Sequence, residues 1–450
     1  MTRNWQGPLR SLRDMADRTP AHRNRHVDLM RAVAICAVVL GHWLLLVVED
    51  RPNGLHGTTV LAELSWTSPL TWLFQVMPVV FFVGGYANAA SLTAHLGRGG
   101  QAASWLWGRA VRLLAPTSVL LGVLVCCAVF VFAVRGDTEL VALAAWVATM
   151  PLWFLAAYMG MVLLAPVTFR LHRRFGLGVV AGLVVGVAVF DLIYVTHVTD
   201  TQPESMRILR HLCAWLAVHQ AGYCWYDRLL PTRPSACALL AGGGLTGAVL
   251  LVTVGPYPVS MVTVPGVEAS NAGPPTIPLL ALATAQIGMI LLLSGPSNRW
   301  LRRRRPWTAV VAVNAVVFTV FLWHMSAAVL GAMVLYPTGI LPQPPVDSAE
   351  WLLLRLPWLG VLAALLITLV ALFGWVEARA TGVAIAEHLS LGPRVLVPAG
   401  MALCIVALIL VGLSGPELHG PVGIPLGLYA LYLIGVLMVY GTPRIARALR

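Results

Sequence analysis

A chain of 450 residues in which 58% of side chains are hydrophobic and 11% charged cannot clothe a water-facing surface, for which about 25% charged residues is usual. The formal charge of +12 comes entirely from arginine, since the chain has no lysine, and no nucleic-acid partner is expected. Its apolar runs are about 17–25 residues long, the length of a bilayer-spanning helix. They lack the period-two alternation of barrel strands. The expected fold is therefore an all-α polytopic integral membrane protein.

In chain order, the first 30 residues are polar and arginine-rich, with no apolar stretch of the kind a cleaved leader carries. The first hydrophobic run should then act as an uncleaved anchor. Apolar windows predict twelve spans: 32–48, 69–93, 112–134, 150–169, 177–196, 207–226, 235–254, 276–294, 308–336, 351–375, 394–413 and 421–440. With the N-terminus in the cytoplasm, every arginine except Arg51, Arg135, Arg207, Arg210 and Arg355 falls on the inner side, as the positive-inside rule requires. Both termini are thus expected inside, and the cytoplasmic membrane is the expected location. The organisation reads as a cytoplasmic segment (1–31), a ten-helix membrane domain (32–378), and two added C-terminal helices with a short tail (379–450). The seven cysteines include no CxxC pair, so neither a disulfide framework nor a metal site is expected.

Ionisable side chains at membrane depth are costly and mark function by default. In the first span Arg31 stands at the cytoplasmic mouth, and His42 follows eleven residues later. Three helical turns place both on nearly one face, with His42 about 16 Å deeper. The second span carries Phe81-Phe82-Val83-Gly84-Gly85-Tyr86, where paired glycines permit close approach of a backbone or ligand. The third opens with Arg109 and Arg112 one turn apart, a spacing suited to phosphate oxygens. The fourth opens with Leu152-Trp153-Phe154-Leu155. Asp191 is an acid inside the fifth span, and His324 lies within Leu322-Trp323-His324 of the ninth. The loop through Pro274 and Pro275 should form a rigid outer lip.

Together these motifs resemble the acyltransferase 3 family of multi-pass membrane acyltransferases, across roughly residues 23–378. Arg31 and His42 match its Arg-x10-His pattern, and Arg109 and Arg112 match its paired arginines. Gly84 stands where many members have serine. The arginine-only, GC-rich character suggests an actinobacterial member. The resemblance implies transfer of an acyl group, acetyl in the first instance, from acyl-CoA to a hydroxyl of a sugar, a glycolipid, a cell-envelope glycan or a secondary metabolite. His42 would be the base or acyl carrier, with Asp191 and His324 as further catalytic residues. Arg31, Arg109, Arg112, Gly84, Gly85, Tyr86 and Trp153 would hold acyl-CoA, with no metal. The carbohydrate or lipid-linked acceptor and membrane lipid complete the expected partners. The alternative is a proton-coupled exporter that uses His42 and Asp191 as a relay.

Overall fold

The computed structural model describes residues 13–448 apart from 15, 18, 21–22, 52–53, 197–202, 384–387 and 416–419. Its main helices are α1 Arg25–Leu45, α2 Met77–Gly97, α3 Ala102–Arg135, α4 Thr138–Thr149, α5 Leu152–Phe175, α6 Leu177–Thr196, α7 Glu204–Tyr226, α8 Pro234–Val254, α9 Ile277–Trp300, α10 Arg304–Ala315, α11 Val317–Leu335, α12 Ala349–Thr381, α13 Leu391–Leu413 and α14 Leu426–Ala448. Every expected span overlaps one of them. Among the described residues nine helical segments are long and apolar enough to cross a membrane. The three expected spans outside that set coincide with α6, α7 and α14. The protein is an all-α polytopic membrane protein.

Helix α4 falls where no span was expected, and two further features depart from the sequence reading. The run expected to continue α1 to residue 48 instead turns at Leu46 into an antiparallel hairpin, β1 Leu46–Arg51 with β2 Gly54–Thr59, in the register Leu46↔Thr59 to Arg51↔Gly54. The β-branched Val47 and Val48 suit strand better than helix. The span expected at 308–336 is two helices, interrupted at Val316, whose φ of −131° and ψ of 13° leave the helical region. The buried Glu377 carboxylate of α12 stabilises the new start. It accepts from the backbone N–H groups of Phe318 at 3.2 Å and Thr319 at 2.8 Å, and from the Thr319 hydroxyl at 2.7 Å. An anion there satisfies orphan donors at a positive helix end.

The chain forms two compact units. One comprises Met1–Val38, Leu64–Ala90 and Thr168–Val317, the other Val39–Glu63, Ser91–Val167 and Phe318–Arg450. In the first, α2 crosses α7 where Gly85 and Gly222 meet; a Cβ on either would strike the other helix's backbone. Such small-residue crossings are how apolar helices gain contact in lipid. Phe81 stacks on Trp215 at 4.8 Å between ring centroids, and Phe82 stacks on Trp225 at 5.0 Å. The Pro/Gly-rich loop 255–276 is stitched down by side chains: Gln75 donates to the Met261 carbonyl, and Asn271 donates to the carbonyls of Pro258 and Ser260.

In the second unit, α4 is capped at its start by Asp137, whose carboxylate accepts from the Leu140 N–H at 2.9 Å, as an N-cap aspartate should. The preceding helix closes with Gly136 at a φ of 67°, a left-handed turn that costs glycine least. The C-terminal helices α13 and α14 meet through Gly400 and Gly435. They pack on α3: Trp107 donates to the Val439 carbonyl at 3.2 Å, and the Tyr432 hydroxyl donates to the Leu114 carbonyl at 3.2 Å. Helix α3, at 34 residues, is longer than the ~20 residues a bilayer core requires. Its arginine-bearing first turns therefore have length to spare for the headgroup zone.

Candidate active site

Two residues 282 positions apart come together in the second unit: His42 Nδ1 lies 2.8 Å from His324 Nε2. Their ring centroids are 5.1 Å apart and the planes 16° apart, so the two imidazoles meet edge to edge, as an N–H···N bond requires. His324 is fully buried, and its Nδ1 lies 2.6 Å from the Phe321 carbonyl oxygen. That oxygen can only accept, so His324 Nδ1 carries the proton. In a neutral imidazole the other nitrogen is then an acceptor, and His324 Nε2 must accept from His42 Nδ1–H. The chain of bonds leaves the lone pair of His42 on Nε2. Trp43 fixes the same junction, its indole N–H donating to the His324 carbonyl at 2.9 Å.

The surrounding wall is aromatic. Phe321 packs against His324 and, edge to face at 5.3 Å, against Phe154. Trp153 is the residue expected at the site, but it is its neighbour Phe154 that reaches this wall. Trp153 is 40% exposed and lies beside Gly412. On α11's other side Trp323 stacks on Phe373 at 4.2 Å. These contacts hold the histidine-bearing helix in one rotation.

The same unit holds a basic cavity of about 240 Å³, lined by Ser91, His95, Arg98, Trp105, Arg109 and Arg112 among others. Arg109 donates to the Ser91 hydroxyl and lies over the Trp105 ring at 5.4 Å. Trp105 also donates to Ser91, at 3.1 Å. His95 bonds Ser104 at 2.8 Å, whose hydroxyl in turn donates to the Gln101 carbonyl. Three guanidiniums around one hollow suit an anion with several phosphate groups. Arg98, His95 and Ser91 join Arg109 and Arg112 here. Arg98 stands out in sequence only as one more inner-side arginine, and the other two carry no motif.

Arg31 and Asp191 belong to the first unit. Arg31 donates through Nε to the Asn314 amide oxygen at 2.6 Å and pairs with Asp28 at 3.2 Å. Asp28 is also held by Arg23 through two bonds of 2.7 and 2.8 Å. Asp191 is buried, with Arg210 at 3.3 Å, and accepts from the Tyr257 hydroxyl and the Ile277 N–H, each at 2.9 Å. Burial first, and then the Asp191 carboxylate, push the Tyr257 phenol well above its ordinary range, which keeps it a donor. Arg210 continues to the carbonyls of Pro275 and Pro274 at 3.1 and 3.0 Å. This buried set ties α6 and α7 to the outer loop and the start of α9.

Gly84, Gly85 and Tyr86 also belong to the first unit. The close approach that Gly85 permits is taken by the α7 backbone at His219 and Gly222. Tyr86 packs on Trp225 and Tyr226, and Gly84 is buried in the same turn of α2. Among the described residues no group of His, Cys, Asp and Glu side chains could hold a metal ion.

A family model described as an acyltransferase domain, that of acyltransferase 3, matches residues 24–376. No curated protein and no solved structure matches the chain.

Proposed function

Since the chain belongs to the acyltransferase 3 family and is a multi-pass membrane acyltransferase, we propose that its donor is acyl-CoA, its acceptor a hydroxyl group of a cell-envelope sugar or glycolipid, and His42 its general base. The observation that carries this reading is the tautomer chain from the Phe321 carbonyl through His324 to His42. It leaves a lone pair on His42 Nε2, the atom a base needs. A neutral imidazole is suited to the task because its unprotonated nitrogen can take a proton directly.

In the proposed reaction, His42 Nε2 takes the proton of the acceptor hydroxyl as that oxygen attacks the thioester carbonyl. The C–S bond of the resulting tetrahedral adduct breaks, and the CoA sulfur leaves with the proton that His42 had taken. One ester and one free thiol result. His324 neither gives nor takes a proton in this scheme; its role is to hold the ring and its tautomer. Attack by Nε2 itself on the thioester would give an acyl-histidine, the variant route. Arg98, Arg109 and Arg112 are proposed to hold the phosphates of CoA on the cytoplasmic side. Arg31, oriented by Asn314 and Asp28, is proposed as a further cation on that side. Asp191 is proposed as a positioning residue for the 255–276 loop.

The test is a product balance. Purified protein in lipid nanodiscs, given butyryl-CoA and a cell-envelope glycolipid extract, should release CoA thiol and form an acyl ester in equal amounts. His324→Ala should lower both together. Ester formation without thiol release would remove acyl-CoA as the donor.

A further inference from the structure

A second cavity in the histidine-bearing unit has no polar residue assigned to chemistry and no counterpart in the motifs. It is a half-open cleft of about 50 Å³, lined by His56 of the hairpin and otherwise by apolar residues that include Leu46, Val48, Leu140, Val147, Ala328 and Ala332. That is several times the ~10–15 Å³ one water needs, yet the walls offer a water little to bond. An apolar guest is favoured against such walls, because it removes their carbon surface from contact with water.

Its position relative to the two histidines is fixed by the chain itself. Leu46 lies four residues after His42. Ala328 lies four residues after His324, and Ala332 four further on. Residues so spaced on α11 share a face, at about 6 and 12 Å beyond His324 for a rise of 1.5 Å per residue. Both segments that carry the histidine pair therefore lead, within one turn, to the same hollow. Alanine at 328 and 332, both buried, leaves open a volume that leucine would fill. The far wall is supplied by α4 and the β1–β2 hairpin, two elements the chemistry otherwise does not use. Arg355 steadies the hairpin's first residue, donating to the Leu46 carbonyl at 2.7 Å.

We propose that this cavity receives the acyl chain of the donor thioester, and that the enzyme consequently prefers acyl groups longer than acetyl. The inference rests on the acyl-CoA reading above. If the nucleotide enters beside the arginines and the thioester carbonyl stands at His42 Nε2, the acyl substituent continues along α1 away from the CoA sulfur, toward Leu46. A sugar acceptor would not suit this hollow, because its hydroxyls would be desolvated against carbon.

Binding measurements test the proposal without any acceptor. The full chain in nanodiscs is titrated calorimetrically with free CoA, acetyl-CoA, butyryl-CoA and hexanoyl-CoA. Each added methylene should tighten binding about threefold to fourfold until the cavity is filled. Ala332→Leu should flatten that gain, and Leu140→Ala should extend it to longer chains, with free CoA as the internal reference for each protein. If Ala332→Leu fails to fold, Leu140→Ala decides alone. Free CoA that binds with an affinity no chain length improves would overturn the acyl pocket and leave the donor assignment standing. No binding of free CoA or of any thioester would overturn the donor assignment, and the pocket with it.

Discussion

Two side-chain pairs inside the molecule, Asp191 with Arg210 and His42 with His324, differ in what they leave over. Asp191 and Arg210 spend their capacity on the fold: the carboxylate takes the Tyr257 hydroxyl and the Ile277 N–H, and the guanidinium takes the Pro274 and Pro275 carbonyls. His42 and His324 are linked just as directly, but their chain of bonds begins at the Phe321 carbonyl and stops at His42 Nε2. A buried pair whose bonds close on the structure is a fastener. One whose bonds run out at a basic nitrogen is a reagent. Both residue types read alike in sequence, as ionisable groups inside apolar spans, and only their partners separate them.

The comparison can be broken first at the fastener. Asp191→Ala strands Arg210 in a buried site, where an uncompensated charge costs about 3–5 kcal/mol. The thermal midpoint should fall sharply, and cysteine labelling at Ser270 in the outer loop should speed up. The double change Asp191→Leu with Arg210→Met should recover much of the stability. Recovery of stability with no transfer activity would instead place Asp191 in the chemistry.

A smaller effect is expected at the basic cavity. Arg112→Ala removes a charge-assisted partner worth about 1.5–3 kcal/mol, so CoA affinity should weaken roughly ten- to hundredfold with the turnover number little changed at saturation. Affinity within twofold of the parent would assign Arg112 to lipid headgroups alone.

The smallest concerns the glycine crossing. Gly85→Ala forces α2 and α7 apart, and overpacking of this kind costs about 1–3 kcal/mol. Stability should fall while CoA affinity, measured well below the melting temperature, holds. A selective loss of CoA affinity would return the Gly84-Gly85-Tyr86 segment to the donor site.

Much of this was legible in the sequence, for identifiable reasons. Helices in lipid announce themselves by length and hydropathy, so each of the twelve spans meets a helix. His42 stood out through its spacing from Arg31, and His324 through its Trp-His context. Their contact was not legible, because nothing local links positions 282 residues apart. Nor was the tautomer, which depends on a main-chain carbonyl that any residue at 321 would supply. The break at Val316 hid because Val-Asn-Ala-Val-Val contains no glycine or proline to signal it; the Glu377 carboxylate that stabilises it is 58 residues from Thr319. The start of the hairpin, Leu46–Val48, hid inside an apolar run, where periodicity does not separate a short strand from a helix end. Arg98 was visible only as topology until the fold placed it beside Arg109 and Arg112.

In the proposed reaction His42 Nε2 does the chemistry and the arginines do the holding. The most direct test is His42→Ala, assayed on one preparation for CoA binding and for acyl transfer. CoA affinity should stay within about twofold, and transfer should fall by about 10²–10⁴-fold, the usual worth of a general base. In the parent protein, transfer should decline toward acid pH as the imidazole takes up a proton, and that limb should vanish from the residual activity of the variant. Transfer at the parent rate in His42→Ala, or loss of CoA binding with no separate loss in the chemical step, would contradict the account.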